Sequence, residues 1–175
     1  MDVYQILITH NRPWTAREML CVALLLAAAL FAAGYMLRHQ KIKPSQALAG
    51  ISLVLFLSIV FGSTVFTRMP SKRQFELQLF WSWREVIVNH NRELLKENLL
   101  NCILLVPMGI LFPILLHRKV TWRQGLLWGF LVSAVIETCQ LVFCRGLFEW
   151  DDMIHNALGC MAGCLITNTV SVRKT

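Results

Sequence analysis

The chain has 175 residues, of which 56% are hydrophobic and only 15% charged, with a mean hydropathy of +0.55. A soluble domain carries about a quarter charged residues and spreads its apolar ones as stripes or alternations. Here they stand in long blocks, which excludes a soluble domain, a disordered chain, a collagen-like fibre and a disulfide scaffold, and predicts an all-α, polytopic membrane bundle.

Five blocks are long enough to cross a bilayer. Residues 19–37 are almost entirely Leu, Ala, Val and Phe, and residues 47–66 have only Ser, Thr and Gly as polar content. The third block, 99–116, is interrupted by Pro107 and Pro113, and residues 125–143 and 154–170 complete the set. About 17–20 residues at 1.5 Å rise give roughly 25–30 Å, the hydrocarbon thickness. Helices are expected throughout, because lipid offers no partner to unpaired backbone groups. A cleaved signal peptide competes for the first block, since Ala27, Ala28 and Ala29 are small. The apolar run is longer than a typical signal core and begins only after eighteen residues, so a retained helix is expected. The expected organisation is an N-terminal region with two spans (1–66), a core with three (67–170) and a short tail (171–175).

The net charge of +7 reads as membrane topology. Alternate connections carry eight and nine basic residues, but the eight are crowded into short loops (Arg38, Lys41, Lys43, Arg118, Lys119, Arg123) and the tail (Arg173, Lys174). Basic residues near span ends in short loops mark the cytoplasmic side, which puts the N-terminus outside and the C-terminus in the cytoplasm. Nucleic-acid binding is not expected, because the basic residues are scattered among spans and no base-reading motif is present. The long outer segment between the second and third spans is rich in Phe, Leu and Trp, too interrupted to span, and reads as an interfacial or re-entrant piece.

Polar residues converge at one end of these spans. Asn98 and Asn101 lie three apart at the start of the third, and Glu137 and Gln140 repeat that spacing near the end of the fourth. Arg145, Glu149, Asp151 and Asp152 fill the following loop, and His155 and Asn156 open the fifth. If the helices alternate direction, all of these reach a single outer polar layer. Glu137 lies inside a span, where a lone carboxylate is costly, so a cation is expected beside it, with Arg145 nearest and Arg92 second. Two uses stay open: a structural hydrogen-bond network, or a ligand or catalytic site in which Glu137 or Asp152 acts as the acid or base. No metal or cofactor is assigned, since no spacing matches a metal motif and no nucleophile elbow, metalloprotease helix or phosphate loop is present.

The six cysteines read as small packing residues. Gly159 and Gly163 form a close-approach pair, weighed for packing within the chain and for a homodimer contact. Pro107, Gly109 and Pro113 predict a kink whose freed carbonyls seek side-chain donors, with Ser133 and Asn156 as the expected partners.

Three elements then resemble one family. The run Glu97 to Gly109, with Asn98, Asn101 and Pro107, resembles the "N-x-x-x-F-x-P-x-G" opening of VanZ-like membrane proteins. Ser133, Ile136, Glu137 and Gln140 match their "S-x-x-I-E-x-x-Q" element. Arg145, Asp151, Asp152, Asn156, Gly159 and Gly163 follow the "R-x-x-D-x-x-D-x-x-x-N-x-x-G-x-x-x-G" element with small spacing differences. Leu105 stands where the family commonly has an aromatic, and Glu149 stands near the position of an extra aspartate. The resemblance implies a small bacterial inner-membrane protein of four or five helices with a role in teicoplanin-type glycopeptide tolerance. Three functions remain open. The chain recognises a lipidated or lipid-linked ligand at the outer face, through Asn98, Asn101, Glu137, Gln140, Arg145, Asp151, Asp152 and Asn156. Or it is an intramembrane hydrolase or transferase of a lipid-linked precursor, or a scaffold for another membrane protein.

Overall fold

A computed structural model describes residues 11–172; of the tail expected at 171–175, residues 171 and 172 continue the last helix and the other three lie outside the described residues. Helix α1 (Ala16–Arg38) begins where Glu18 turns back to accept the Thr15 backbone N–H at 2.8 Å, with the Arg12 guanidinium closing on the same carboxylate. A short loop returns the chain into α2 (Pro44–Phe61), whose proline stands in the first turn, where a missing N–H costs nothing. A π-helical turn, Gly62–Phe66, extends α2.

The chain then runs extended into β1 (Gln74–Glu76) and a short helix, α3 (Trp81–Val88). The aromatic segment read as interfacial or re-entrant therefore contains a strand and a helix. Next come α4 (Arg92–Leu104) and α5 (Val106–Leu116), two halves of one span broken at Leu105. Pro107 cannot donate to the carbonyl one turn back and its ring crowds that carbonyl, which accounts for the break. The second proline, Pro113, is carried inside α5. The expected partners do not serve the kink: Ser133 and Asn156 bond to each other at 2.8 Å. Thr167 donates to the Ile110 carbonyl at 3.0 Å, a carbonyl that neither proline frees, and so ties α5 to the last helix.

Helix α6 (Trp122–Phe143) starts at a Thr121 cap whose hydroxyl accepts from the Gln124 N–H. It leads through β2 (Leu147–Glu149) into α7 (Trp150–Val172). The two strands pair in parallel, with Gln74 opposite Leu147 and Glu76 opposite Glu149. Among the described residues, four helical segments are long and apolar enough to cross a membrane: Ala16–Arg38, Pro44–Phe66, Arg92–Leu116 and Trp122–Phe143. The fifth expected span is α7, as long as α1 at 23 residues but carrying His155, Asn156 and Asn168.

Helix α7 is the hub, packing on α6, α5 and α4. Its interior face is built from small residues, with Ala157, Cys160 and Cys164 buried and the cysteines free thiols. A Cβ on Gly159 would land on the Cys102 carbonyl, and one on Gly163 on the Val106 carbonyl. The close-approach pair is thus used for packing within the chain. Bulky side chains lie outside instead, Phe31 being 79% exposed, because hydrocarbon exacts no penalty for them and helix association rests on close packing. Helix α1 packs chiefly on α2 and has no buried residue.

Candidate functional site

The expected polar residues gather at one end of the bundle, where α6 ends and α7 begins. The corner between them is tight: Cys144 ends α6 in the left-handed region, and Gly146 follows with φ 135°. Gly146 meets two demands, since a Cβ there would also press on the Arg68 guanidinium and the Gln140 side chain. Segment 68–76 runs alongside this corner, tied by the ribbon and by a 2.7 Å bond from the Ser71 N–H to the Cys144 carbonyl.

Each carboxylate has a different task. Asp151, 1% exposed, accepts from the Phe80 N–H at 2.6 Å, the Ser82 N–H at 3.1 Å and the Ser82 hydroxyl at 2.6 Å. It holds the start of α3, supplying the acceptor that helix lacks locally. Asn98 joins the cluster by donating to the Ser82 hydroxyl at 3.2 Å. Asp152, partly exposed, accepts from Asn101 at 2.5 Å. Glu137, 2% exposed, accepts the Glu149 backbone N–H at 3.1 Å. The expected Glu137–Arg145 pair does not form. The Arg145 guanidinium instead donates to the carbonyls of Phe66 and Arg68, each at 2.6 Å, clamping the end of α2 to the corner. Arg92 is exposed at the start of α4.

The cation whose charge acts on both Glu137 and Asp152 is Arg68, which sequence reasoning missed. Its one signal was its place two residues beyond the second span. Glu149 is the other residue undervalued. Burial, and next the Asp152 charge, push its carboxyl up to about 8, against a lowering by the nearby Trp81 indole. Neither Glu149 Oε1 nor Trp81 Nε1 completes a hydrogen bond, so the indole acts by proximity. Gln140 donates to the Thr64 carbonyl at 3.1 Å, a link to the π turn that only the fold reveals. His155 accepts from the Trp83 indole at 2.7 Å, which leaves its Nδ1 as the ring's remaining polar atom, buried and without a partner among the described residues. Asn156 Oδ1 is likewise buried and unpartnered. Among the described residues, no cluster of three or more His, Cys, Asp or Glu is arranged to hold a metal ion.

The family model for VanZ/LLP1 matches residues 46–171, well over half the chain. The chain belongs to the VanZ/LLP1 family. The matched segment runs from α2 almost to the end of α7 and leaves α1 outside it. VanZ membership associates the chain with the cell envelope and with glycopeptide resistance. No curated protein and no solved structure matches it.

Proposed function

We propose that the chain acts in glycopeptide tolerance by engaging the polar head of a lipidated or lipid-linked envelope component in the layer formed by Asn98, Asn101, Glu137, Gln140, Arg145, Asp151, Asp152 and Asn156. The charge density of the short loops argues that this layer lies at the outer leaflet. One observation carries the reading. Glu137, Glu149 and Asp152 act on one another from two helices and a strand, with no ion pair to any of them among the described residues. Buried polar groups in a network that merely locks helices are normally satisfied. Glu149 Oε1, His155 Nδ1 and Asn156 Oδ1 are not.

The test is teicoplanin and vancomycin susceptibility of a Gram-positive host expressing the chain, beside Glu137→Gln and Asp152→Asn, with membrane abundance measured for each. Protection by the wild type, lost in equally abundant variants, is the expected result. Variants that lose protection by losing folded protein support the scaffold reading instead. No protection despite good expression overturns the resistance reading.

A second reading, an intramembrane hydrolase or transferase, is favoured by Glu149, a carboxyl that keeps its proton near neutrality beside a second carboxyl, Asp152. Environments that separate two carboxyls in this way assign acid and base roles. Mass spectrometry of lipid-linked wall precursors separates it from binding: an enzyme changes their chemical form, and a binding protein does not.

A further inference from the structure

Between α1 and α2, away from the polar layer, lies a crevice of about 470 Å³. Its walls are apolar side chains such as Val22, Leu25, Val54 and Leu57, with Trp14 at the top. The crevice exists because α1 leans chiefly on α2 and Trp14 takes the space over Gly62, where any Cβ would strike its ring. Below that wedge, Cys21 and Val22 are too small to close the gap.

The charges at its mouth are unevenly matched. Glu18 is neutralised by Arg12, which also donates to the Phe66 carbonyl at 3.0 Å, and the Ser58 hydroxyl is spent on the Val54 carbonyl at 2.7 Å. Arg17 makes no hydrogen bond or ion pair among the described residues. From Arg17 to Leu25 the groove descends roughly 12 Å along α1, from the depth that Trp14 favours into the hydrocarbon. Below Arg17 and Glu18 its polar side chain, Ser58, is already bonded to the Val54 carbonyl, and the remaining walls offer water no partner.

We propose that this crevice binds one tail of an anionic membrane phospholipid, with the phosphate of its head on Arg17. The guanidinium supplies charge-assisted hydrogen bonds to the phosphate, and the groove takes the upper part of the acyl chain. The site is separate from the polar layer, and its failure would leave the reading of that layer untouched.

The experiment is native mass spectrometry of the full chain released from nanodiscs holding equal amounts of phosphatidylglycerol and phosphatidylcholine with identical tails. Glycerophosphoglycerol, the head without tails, is added as a competitor in a second arm. The wild type should retain phosphatidylglycerol over phosphatidylcholine by about tenfold, because both carry the phosphate but the choline cation offsets the charge that Arg17 meets. The tail-less head should not displace it. Arg17→Gln should bring the ratio to about one while lipid is still retained, and Val22→Trp, which fills the groove, should remove the lipid from a chain that still melts cooperatively. A wild-type ratio of one, full displacement by the tail-less head, or unchanged retention in Val22→Trp overturns the proposal. So does an oxidised Cys21–Cys21 dimer free of lipid, which would make a second copy the occupant.

Discussion

Glu149 and Asp151 sit two residues apart in different surroundings: among the described residues Glu149 Oε1 has no hydrogen-bond partner, while Asp151 accepts three. Glu149 holds its proton up to about pH 8, well above the ordinary range of an unfolded carboxyl. As pH rises between those two values, the unfolded chain releases a proton that the folded chain keeps, so folding becomes less favourable and the loss is complete above the folded pKa. The melting temperature of detergent-purified protein should therefore fall from about pH 5 to about pH 9, and Glu149→Gln should flatten that slope. A slope unchanged by the substitution would assign it to other groups. Asp151 is an acceptor already committed to three donors of α3, so Asp151→Ala strands buried N–H groups. The cost should be about 2–3 kcal/mol, seen as faster hydrogen exchange across residues 80–88 with the long helices unchanged. Neither role was legible in the sequence. A run of acids in a loop looks alike whether it is solvated or buried, and only the returning segment 68–82 distinguishes the two.

Among the elements, the helices were legible and their partners were not. The apolar blocks located every long helix, but each helix begins earlier than its block because caps and first turns are polar: Thr15 with Glu18, Lys43 with Gln46, and Thr121 with Gln124. The break at Leu105 followed from Pro107 alone, whereas Thr167 as donor to Ile110 required the packing of α7 on α5. Small residues carry that packing, which permits a paired test. Gly159→Val must displace the α4 backbone and should cost upward of about 2 kcal/mol in folded yield. Gly34→Val, with open space around the position, should leave yield unchanged. Equal yields from the two would mean that the α7 contact with α4 is looser than the backbone distances imply.

At the scale of the molecule, the polar layer gathers at the end holding Arg12, Arg68 and Arg145, while Lys43 meets His117 at 2.7 Å near the opposite end. Single cysteines in an otherwise cysteine-free chain should settle which end faces out: one at exposed Lys72, beside the corner, should react with an impermeant maleimide on whole cells, and one at exposed Lys119 only after lysis. The reverse pattern would move the candidate site to the cytoplasmic face and remove external antibiotics from its reach. Fold class and the general place of the site were readable because membrane physics constrains both so strongly. The Arg68 contact was not, since it depends on chain segments about seventy residues apart being laid side by side. That ribbon also sets an order of events during synthesis. The first two spans can insert as each leaves the ribosome, but β1 has no partner until residues 147–149 have been made. Until then the segment between α2 and α4 lacks both its strand partner and the Asp151 acceptor for α3, so this end of the protein closes last, and a chain halted before β2 would hold inserted helices around a site that does not yet exist.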